Sequence, residues 1–265
     1  MSGAMLFKLP RPLVFAMGAL AAASLLSACA TNKTQADTQY VARDVSTLYN
    51  HAKYRLDRGQ FKLAAALFDE VERQHPYSPW ARRAQLMSAF SYYMNRDYTE
   101  AISGAQRFLA IHPGNKDASY AFYLISLCYY EQIADVTRDQ KVTQQARDSL
   151  GELIRRYPQS RYAADARLKL DLVNDHLAGK EMEIGRFYQR RGQWLAATVR
   201  FRNVVDQYQT TTHTPEALER LVESYLRLGI PEEAKKAAAV LGANYPGSEW
   251  YEHAYKLIRE HAPSA

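Results

Sequence analysis

One stretch of sequence decides the fold: Gly192-Gln-Trp-Leu-Ala-Ala197-Thr-Val-Arg-Phe201-Arg-Asn-Val-Val-Asp-Gln-Tyr208-Gln209. Gly192 interrupts a preceding helix, and a small residue, Ala197, follows early in the next one. Apolar residues such as Phe201 and Val204 then recur at helical spacing. The pattern stops at Tyr208-Gln209. This stretch therefore predicts a tight turn followed by one amphipathic helix.

The same pattern recurs along the chain, which predicts a repeat protein. Ala64 and Ala101 are separated by 37 residues, and so are Ala197 and Ala234. Each helix then ends at an aromatic residue or a histidine, usually before a proline that cannot continue a helix. The other turns are Gly59-Gln-Phe61-Lys-Leu-Ala64, Asp97-Tyr98-Thr-Glu-Ala101 and Gly229-Ile-Pro-Glu-Glu-Ala234, and the ends are His75-Pro76, His112-Pro113, Tyr157-Pro158, Tyr208-Gln209 and Tyr245-Pro246.

Two antiparallel helices per unit follow, and they resemble the tetratricopeptide repeat. In that repeat a small residue of the first helix packs against a small residue of the second, and a large residue closes the layer. The candidates are Ala52, Ala89 and Gly185 for the first helix, Ala64, Ala101 and Ala197 for the second, and Phe68, Leu150 and Phe201 for the large residue. We predict an all-α superhelical solenoid of five tetratricopeptide-like helix pairs. The units span 40–76, 79–113, 117–158, 161–209 and 214–247, and a capping helix spans 248–261.

Two segments depart from the regular repeat. Residues 133–140 lengthen the connection within the third pair, and residues 161–177 predict additional helix before the fourth repeat. Asp135 and Asp139 in the insertion could form a metal or acid pair, but we expect them to cap and brace the loop. Cys128 lies among apolar residues on a helix, so we expect a small buried thiol there.

Composition limits the class of protein. The chain has 265 residues, of which 47% are hydrophobic and 23% charged, and this excludes disordered, collagen-like and multi-span membrane proteins. Its net charge of +6 is too small to indicate nucleic acid binding. No zinc-type His or Cys pair, phosphate loop or Gly-x-Ser-x-Gly turn occurs in the sequence. We therefore expect no catalytic residues, no metal and no cofactor.

The N-terminus has the features of a bacterial lipoprotein signal. Lys8 and Arg11 precede an apolar run, residues 13–26, which is shorter than the roughly 20 residues of a membrane span. Leu26-Ser-Ala-Cys29 matches the lipobox. This resemblance implies removal of residues 1–28, a diacylglyceryl thioether on Cys29 and acylation of its new amino group, which together anchor a protein stably. An ordinary signal peptide with an accidental cysteine is the alternative.

Residues 29–39 then form the lipidated N-terminus and a polar tether without periodicity. Ala30 follows the cysteine, and by the sorting rule of enterobacterial lipoproteins a residue other than aspartate at this place favours the outer membrane. We therefore expect a lipid anchor in the outer membrane.

The first helices of repeats one to three carry aromatic and basic residues at positions that face the concave side of a tetratricopeptide superhelix. Such a wall suits an extended apolar peptide that ends in a carboxylate. Alternatively, the rings fill the space between neighbouring helices. The predicted peptide-binding residues are Tyr49, Lys53, Arg83, Phe90, Tyr93, Tyr120 and Tyr123, with Leu86 and Tyr130 also facing inward. Corresponding positions of later repeats, such as Arg186, Glu219 and Glu223, are charged, which suggests different partners for the two halves.

The lipobox, the five repeats, the insertion and the run Glu181-Met-Glu-Ile-Gly-Arg-Phe-Tyr-Gln-Arg-Arg-Gly-Gln-Trp-Leu-Ala-Ala197 together resemble the BamD family, also called ComL. Members are outer-membrane lipoproteins of the β-barrel assembly machinery. The resemblance covers essentially the whole mature chain, including Tyr-Pro-x-Ser at 157–160 and 245–248. It implies a periplasmic scaffold without enzymatic activity.

The resemblance also implies partners. The C-terminal repeats, 159–265, would bind the periplasmic POTRA region of the barrel subunit BamA. The N-terminal repeats, 40–158, would meet unfolded barrel precursors, which commonly end in an aromatic residue with a free carboxylate. Accessory lipoproteins are further candidates. Arg200 stands where the family pattern has an arginine at the contact with the POTRA domain nearest the barrel. From the sequence alone, Arg200 is expected to point to the outer surface as an ordinary solvated charge.

Two other classes of function remain open at this point. One is a different tetratricopeptide lipoprotein scaffold, which would coordinate envelope constriction or peptidoglycan synthesis. Co-purification with an integral barrel protein would distinguish the two scaffolds. The other is an envelope hydrolase or sugar-binding lipoprotein, which would need a carboxylate pair or a polar pocket that the sequence does not indicate.

Overall fold

The computed structural model describes residues 44–262, and within this range it contains eleven α-helices and no strand. The predicted signal peptide, Cys29 and tether lie outside the described residues. The helices are α1 Val45–Asp57, α2 Phe61–Gln74, α3 Pro79–Met94, α4 Tyr98–Ile111, α5 Ala118–Tyr130, α6 Lys141–Arg156, α7 Ala163–Arg190, α8 Trp194–Gln207, α9 Thr214–Arg227, α10 Pro231–Asn244 and α11 Glu249–His261. Each odd-numbered helix packs against the next even-numbered one, which confirms the five helix pairs. The division at residue 159 stays a prediction.

Four of the five pairs turn through three residues, and the middle residue of each turn has a positive φ. This residue is Gly59, Gly192 or Gly229 in three pairs, and it is Arg96, with φ of 65°, in the second pair. Glycine adopts this conformation freely, whereas a side chain there costs about 1–2 kcal/mol. The sequence pattern therefore located the three glycine turns, while it did not identify Arg96 as the residue that takes their place.

The predicted large residues Phe68, Leu150 and Phe201 are all fully buried. Two of the predicted small residues of the first helices have a further close neighbour. A Cβ atom on Gly185 would lie only 2.4 Å from Cε1 of Phe201, and one on Gly104 would lie 3.3 Å from Cβ of Ala89. Gly185 and Ala89 therefore each approach a residue about one helical turn beyond Ala197 and Ala101. The bare backbone of Gly185 makes room for the Phe201 ring.

Helix α7 links the third and fourth repeats because it is one continuous helix of 28 residues. The sequence predicted additional helix over residues 161–177, and the structure shows that this helix continues without a break into the first helix of the fourth repeat. Val173 and Leu177 belong to a core cluster with Leu150 and Leu153 of α6. Ala178 and Met182 belong to the next cluster, with residues of α8 and α9. A single rigid helix thus passes from one hydrophobic core to the next.

The insertion between α5 and α6 folds against this helix. Nζ of Lys180 donates a hydrogen bond to the carbonyl oxygen of Thr137, at 3.0 Å, and Val136 lies against Gly179. Asp135 accepts hydrogen bonds from the backbone N–H and the hydroxyl of Thr137, at 2.8 and 2.7 Å, which confirms its predicted role as a brace. Those bonds also hold the pKa of Asp135 below its usual value.

Cys128 is a free, fully buried cysteine on α5, as the sequence predicted. Burial raises the pKa of its thiol to about 12. The thiolate is the reactive form of cysteine, so this side chain is inert at neutral pH.

Candidate functional site

The first helices of successive pairs stack on one another, because α1 contacts α3, α3 contacts α5, and α5 contacts α7. Together with the start of α7 they surround a cavity of about 210 Å³, which we call the groove cavity. Of the predicted peptide-binding residues, this cavity contains Tyr49, Arg83 and Tyr120. Its lining consists of Tyr49, Arg83, Leu86, Met87, Asp117, Tyr120, Arg161 and Tyr162.

Tyr49 forms one wall and is held there by other rings. Its ring centroid lies 5.3 Å from that of Phe68 and 4.8 Å from that of Trp80. Partial burial raises the pKa of the Tyr49 hydroxyl, and the charge of Arg83 acts in the opposite direction. This wall is therefore preformed, since the ring is fixed by packing before any ligand arrives.

Tyr120 and Tyr123 meet Tyr162, which lies just before α7. The centroid distances are 5.5 Å for Tyr120 and 4.9 Å for Tyr123, whose ring stacks on Tyr162. The Tyr123 hydroxyl donates a hydrogen bond to Asp165, at 2.6 Å, and Lys169 donates one to the same carboxylate, at 2.8 Å. Burial raises the pKa values of both tyrosines. Tyr123 therefore packs against residues at the start of α7, and it does not line the groove cavity.

Phe90 and Tyr93 also pack largely against their own neighbours. Their ring centroids are 6.4 Å apart, and Tyr93 lies 6.1 Å from Tyr98. Both rings pack against the hydrophobic core cluster of the second and third pairs. The alternative interpretation, that rings fill the space between helices, therefore describes these two residues, whereas Tyr49 and Tyr120 face the cavity.

Two guanidinium groups supply the positive charge of the groove cavity. Arg83 was predicted, and it is exposed and lies over the Trp80 ring, with its Cζ 5.9 Å from the ring centroid. Arg161 was missed. Lys53 is exposed and is not part of the cavity lining. Tyr162, which was also missed, could have been found from the repeat. It stands four residues after Pro158, and the aromatic Trp80 stands four residues after Pro76 in the first repeat.

The first helices of the later repeats carry ion pairs instead of an open aromatic wall. Nη1 of Arg186 lies 2.9 Å from Oε2 of Glu216, and the Gln189 amide donates to Glu223. These side chains satisfy one another. The structure therefore gives the two halves different surfaces at equivalent positions.

Arg200 on α8 has an intramolecular partner, which corrects the expectation of a solvated charge. Its Nη1 lies 3.3 and 3.4 Å from the two carboxylate oxygens of Glu181 on α7, and its side chain is 36% exposed. Asn203 donates to the same carboxylate, at 3.2 Å. A partner carboxylate at this place would share Arg200 with Glu181, and only one guanidinium nitrogen is engaged by Glu181.

Next to Arg200, α8 exposes two apolar side chains: Leu195 is 69% exposed and Val199 is 53% exposed. We call this pair the α8 patch. The other repeats can be compared with this one at equivalent positions. In the second helix of every pair, the residue two positions before the buried alanine and the residue two positions after it are exposed. In the other four pairs these positions are polar or alanine: Lys62 and Ala66, Thr99 and Ser103, Gln144 and Asp148, and Glu232 and Lys236.

The surroundings of the α8 patch are basic. Residues 184–205 contain five arginines and no acidic residue. Arg190 and Arg191 lie at the turn that precedes α8, Arg202 follows the patch, and all three are exposed. Cζ of Arg191 lies 4.4 Å from the centroid of the Phe187 ring. An apolar centre with a positive rim is suited to a protein surface that presents apolar residues and carboxylates.

The stack of helix pairs with short turns defines a tetratricopeptide-like repeat protein. Among the residues that the structure describes, no helix is long and apolar enough to cross a membrane. A family model described as YfiO, outer membrane lipoprotein, matches residues 41–241. The chain is 52% identical to the outer membrane protein assembly factor BamD of Caulobacter vibrioides, over 94% of this chain and 82% of that protein. It is 46% identical to BamD of Rickettsia prowazekii, over 86% and 91% of the two chains. The chain therefore belongs to the BamD family of outer membrane lipoproteins.

Solved structures similar to this chain are tetratricopeptide proteins of low sequence identity. One is the TPR domain of P58(IPK), with 17% identity, a TM-score of 0.42, and coverage of 82% of this chain and 60% of that one. Another is a thermophilic TPR protein of Thermus thermophilus, with 19% identity, a TM-score of 0.38, and coverage of 81% and 99%.

Proposed function

We propose that this protein is a non-catalytic scaffold of the outer-membrane β-barrel assembly complex, anchored by lipid to the periplasmic face of the outer membrane. Membership of the BamD family supports a role in outer membrane protein assembly. The observation that carries the proposal is the presence of two separate surfaces of different chemistry on one rigid stack. The groove cavity suits a peptide with a terminal carboxylate, and the α8 patch suits a folded protein.

The anchor in this proposal is Cys29, and the expected result is that Cys29→Ser yields a soluble or an unprocessed protein. The serine cannot form the thioether, and no helix within residues 44–262 could replace the lipid anchor. Membrane fractionation measures the distribution. Cys128→Ser is the matched control and should stay with the membrane, because Cys128 is buried in α5. Identical distribution of wild type and Cys29→Ser would refute the lipid anchor.

The ligand of the groove cavity in this proposal is the C-terminal peptide of an unfolded barrel precursor. Tyr49, Leu86 and Tyr120 would contact its apolar side chains. Its terminal carboxylate would lie between Arg83 and Arg161, which line the cavity, whereas Lys53 lies outside that lining. A charge-assisted hydrogen bond contributes about 1.5–3 kcal/mol, which is at least tenfold in affinity.

Fluorescence anisotropy with a labelled peptide tests this assignment. Arg83→Ala and Arg161→Ala should each weaken binding by about tenfold or more, and amidation of the peptide terminus should have a similar effect. Tyr120→Ala should weaken binding by about thirtyfold, because it removes an aromatic anchor. Tyr54→Ala is the control, since Tyr54 is an exposed tyrosine of α1 outside the cavity lining. Equal affinity for free and amidated peptides would reject the carboxylate site.

The partner of the α8 patch in this proposal is the POTRA region of BamA. Leu195 and Val199 would be buried in that interface, and the arginine rim would face carboxylates of the partner. Arg200 would contribute the guanidinium nitrogens that Glu181 leaves free. Leu195 and Arg200 lie about 1.4 turns apart on α8, and Val199 directly precedes Arg200, so a single domain can cover all three.

A further inference from the structure

A buried carboxylate lies in the core of the last repeat. Glu219 of α9 stands 15 residues before Ala234. The residues at the same distance before Ala64, Ala101 and Ala197 are Tyr49, Leu86 and Met182, which are apolar or aromatic. Glu219 is nevertheless 0% exposed. A charged group in such a place is costly unless it is paired, so its neighbours decide its state.

The closest of these neighbours comes from the C-terminal helix α11. Nδ1 of His253 lies 2.6 Å from Oε1 of Glu219, and the His253 side chain is 54% exposed. Neither carboxylate oxygen of Glu219 accepts a hydrogen bond of good geometry from the described residues. The imidazole therefore covers the buried carboxylate from outside while remaining in contact with water.

The other charged groups around Glu219 compensate its charge only in part. Nε of Arg220 lies 3.6 Å from Oε2 of Glu219, but Arg220 also lies within 3.7 Å of Glu216 and of Glu223. The single positive charge of Arg220 is thus shared among three carboxylates. Arg186 of α7 pairs with Glu216, at 2.9 Å. Helices α8 and α10, which also pack on α9, contribute apolar residues such as Phe201 and Leu241 to this core.

Helix α11 covers the end of the same core. Ala254 is fully buried, and Trp250, Leu257 and Ile258 pack against the cluster that contains Leu218 and Val222. A terminal helix of a repeat protein protects the last hydrophobic layer from water. If α11 is released, this layer is exposed.

We propose that Glu219 and His253 form a proton-dependent latch that holds α11 on the last repeat. With one proton between them the pair is electrically neutral, either as carboxylate and imidazolium or as carboxylic acid and imidazole. Loss of this proton to water leaves a buried carboxylate beside a neutral imidazole. Burial is the main cause that raises the pKa of Glu219, and the charges of Arg220 and His253 act against it.

The sign of the effect follows from proton linkage. A carboxyl group whose pKa is higher in the folded protein stabilises the docked state fully below its unfolded pKa, which is 4.5 for Glu219. That stability is lost as the pH rises through the folded pKa. Docking of α11 should therefore weaken as the pH increases, and each unit of pKa difference corresponds to about a tenfold change in the docking equilibrium.

Hydrogen exchange measured by mass spectrometry on the full chain tests the latch. For wild type, we expect the protection factors of residues 249–262, corrected for intrinsic exchange, to fall by about tenfold or more from about pH 5 to about pH 8, because burial raises the pKa of Glu219 above its usual value. Glu219→Gln keeps the shape without the charge, so its protection factors should not depend on pH. His261→Asn, on the same helix, is the matched control and should behave like wild type.

If Glu219→Gln fails to fold by circular dichroism, His253→Asn provides the test, because its half-exposed side chain tolerates substitution. His253→Asn removes the group that shares the proton with Glu219, so it should lower the protection of α11 at about pH 5 by about tenfold or more. Protection of wild-type α11 that is the same at both pH values would overturn the proposal. So would an unchanged pH dependence in the folded Glu219→Gln protein.

Discussion

Phe201→Ala is expected to lower the free energy of unfolding by about 3 to 5 kcal/mol, the usual cost of removing a buried phenylalanine ring. Phe201 is fully buried, and it fills the space that Gly185 leaves open on α7. The cavity left by alanine would lie between two helices joined by a short turn, and a rigid pair cannot collapse around it. Urea unfolding followed by circular dichroism measures the change.

Val199→Ala is the matched control on the same helix. Val199 is more than half exposed, so its truncation should change stability by no more than about 0.5 kcal/mol. A second arm tests the contact itself. Gly185→Ala should destabilise the wild type by about 1–3 kcal/mol, because the Cβ of the new alanine meets the Phe201 ring. The same substitution should destabilise the Phe201→Ala protein much less. Additive effects of the two substitutions would show that the residues are not in contact.

The second large effect concerns the complex with BamA that we propose. Arg200→Ala should leave the fold intact and weaken the complex by about 2 to 5 kcal/mol, or at least thirtyfold, because a carboxylate of the partner would lose its charged donor. The double variant Leu195→Ser with Val199→Ser should weaken it by a similar amount, since burial of each side chain contributes about 1.5–3 kcal/mol. Co-purification of BamA from detergent-solubilised membranes measures both.

The repeat supplies matched controls for this experiment. Lys62→Ser with Ala66→Ser changes the same two exposed positions on α2, and Arg107→Ala breaks an ion pair with Glu72, at 3.0 Å, in the N-terminal half. Neither should reduce recovery of BamA. Equal recovery with Arg200→Ala and with wild type would show that Arg200 has only its structural role with Glu181.

The sequence placed three of the residues that line the groove cavity, for a physical reason. Tyr49, Arg83 and Tyr120 are placed in the groove cavity by their own helix pairs, and the repeat pattern located those pairs. Tyr123 lies outside this lining, and it contacts Asp165 and Tyr162 instead. Helical periodicity determines the direction in which a side chain points, whereas the packing of another helix determines which residues it contacts.

The sequence by itself determined the helix pairs, their turns and their ends, because these depend on local signals. Gly59, Gly192 and Gly229 permit positive φ, and a proline after four of the five pairs stops the second helix. The same locality explains why the Asp135 brace was predicted correctly.

Only the tertiary structure decided which distant residues meet. Arg161 enters the groove cavity because α7 packs beside α5, Glu181 reaches Arg200 because α7 packs against α8, and His253 covers Glu219 because α11 docks on α9. These contacts join residues that are at least 19 positions apart in the sequence. Each contact depends on how far one helix is displaced along its neighbour. That displacement is fixed by the packing of whole faces, such as the Phe201 ring against Gly185, and no local pattern specifies it.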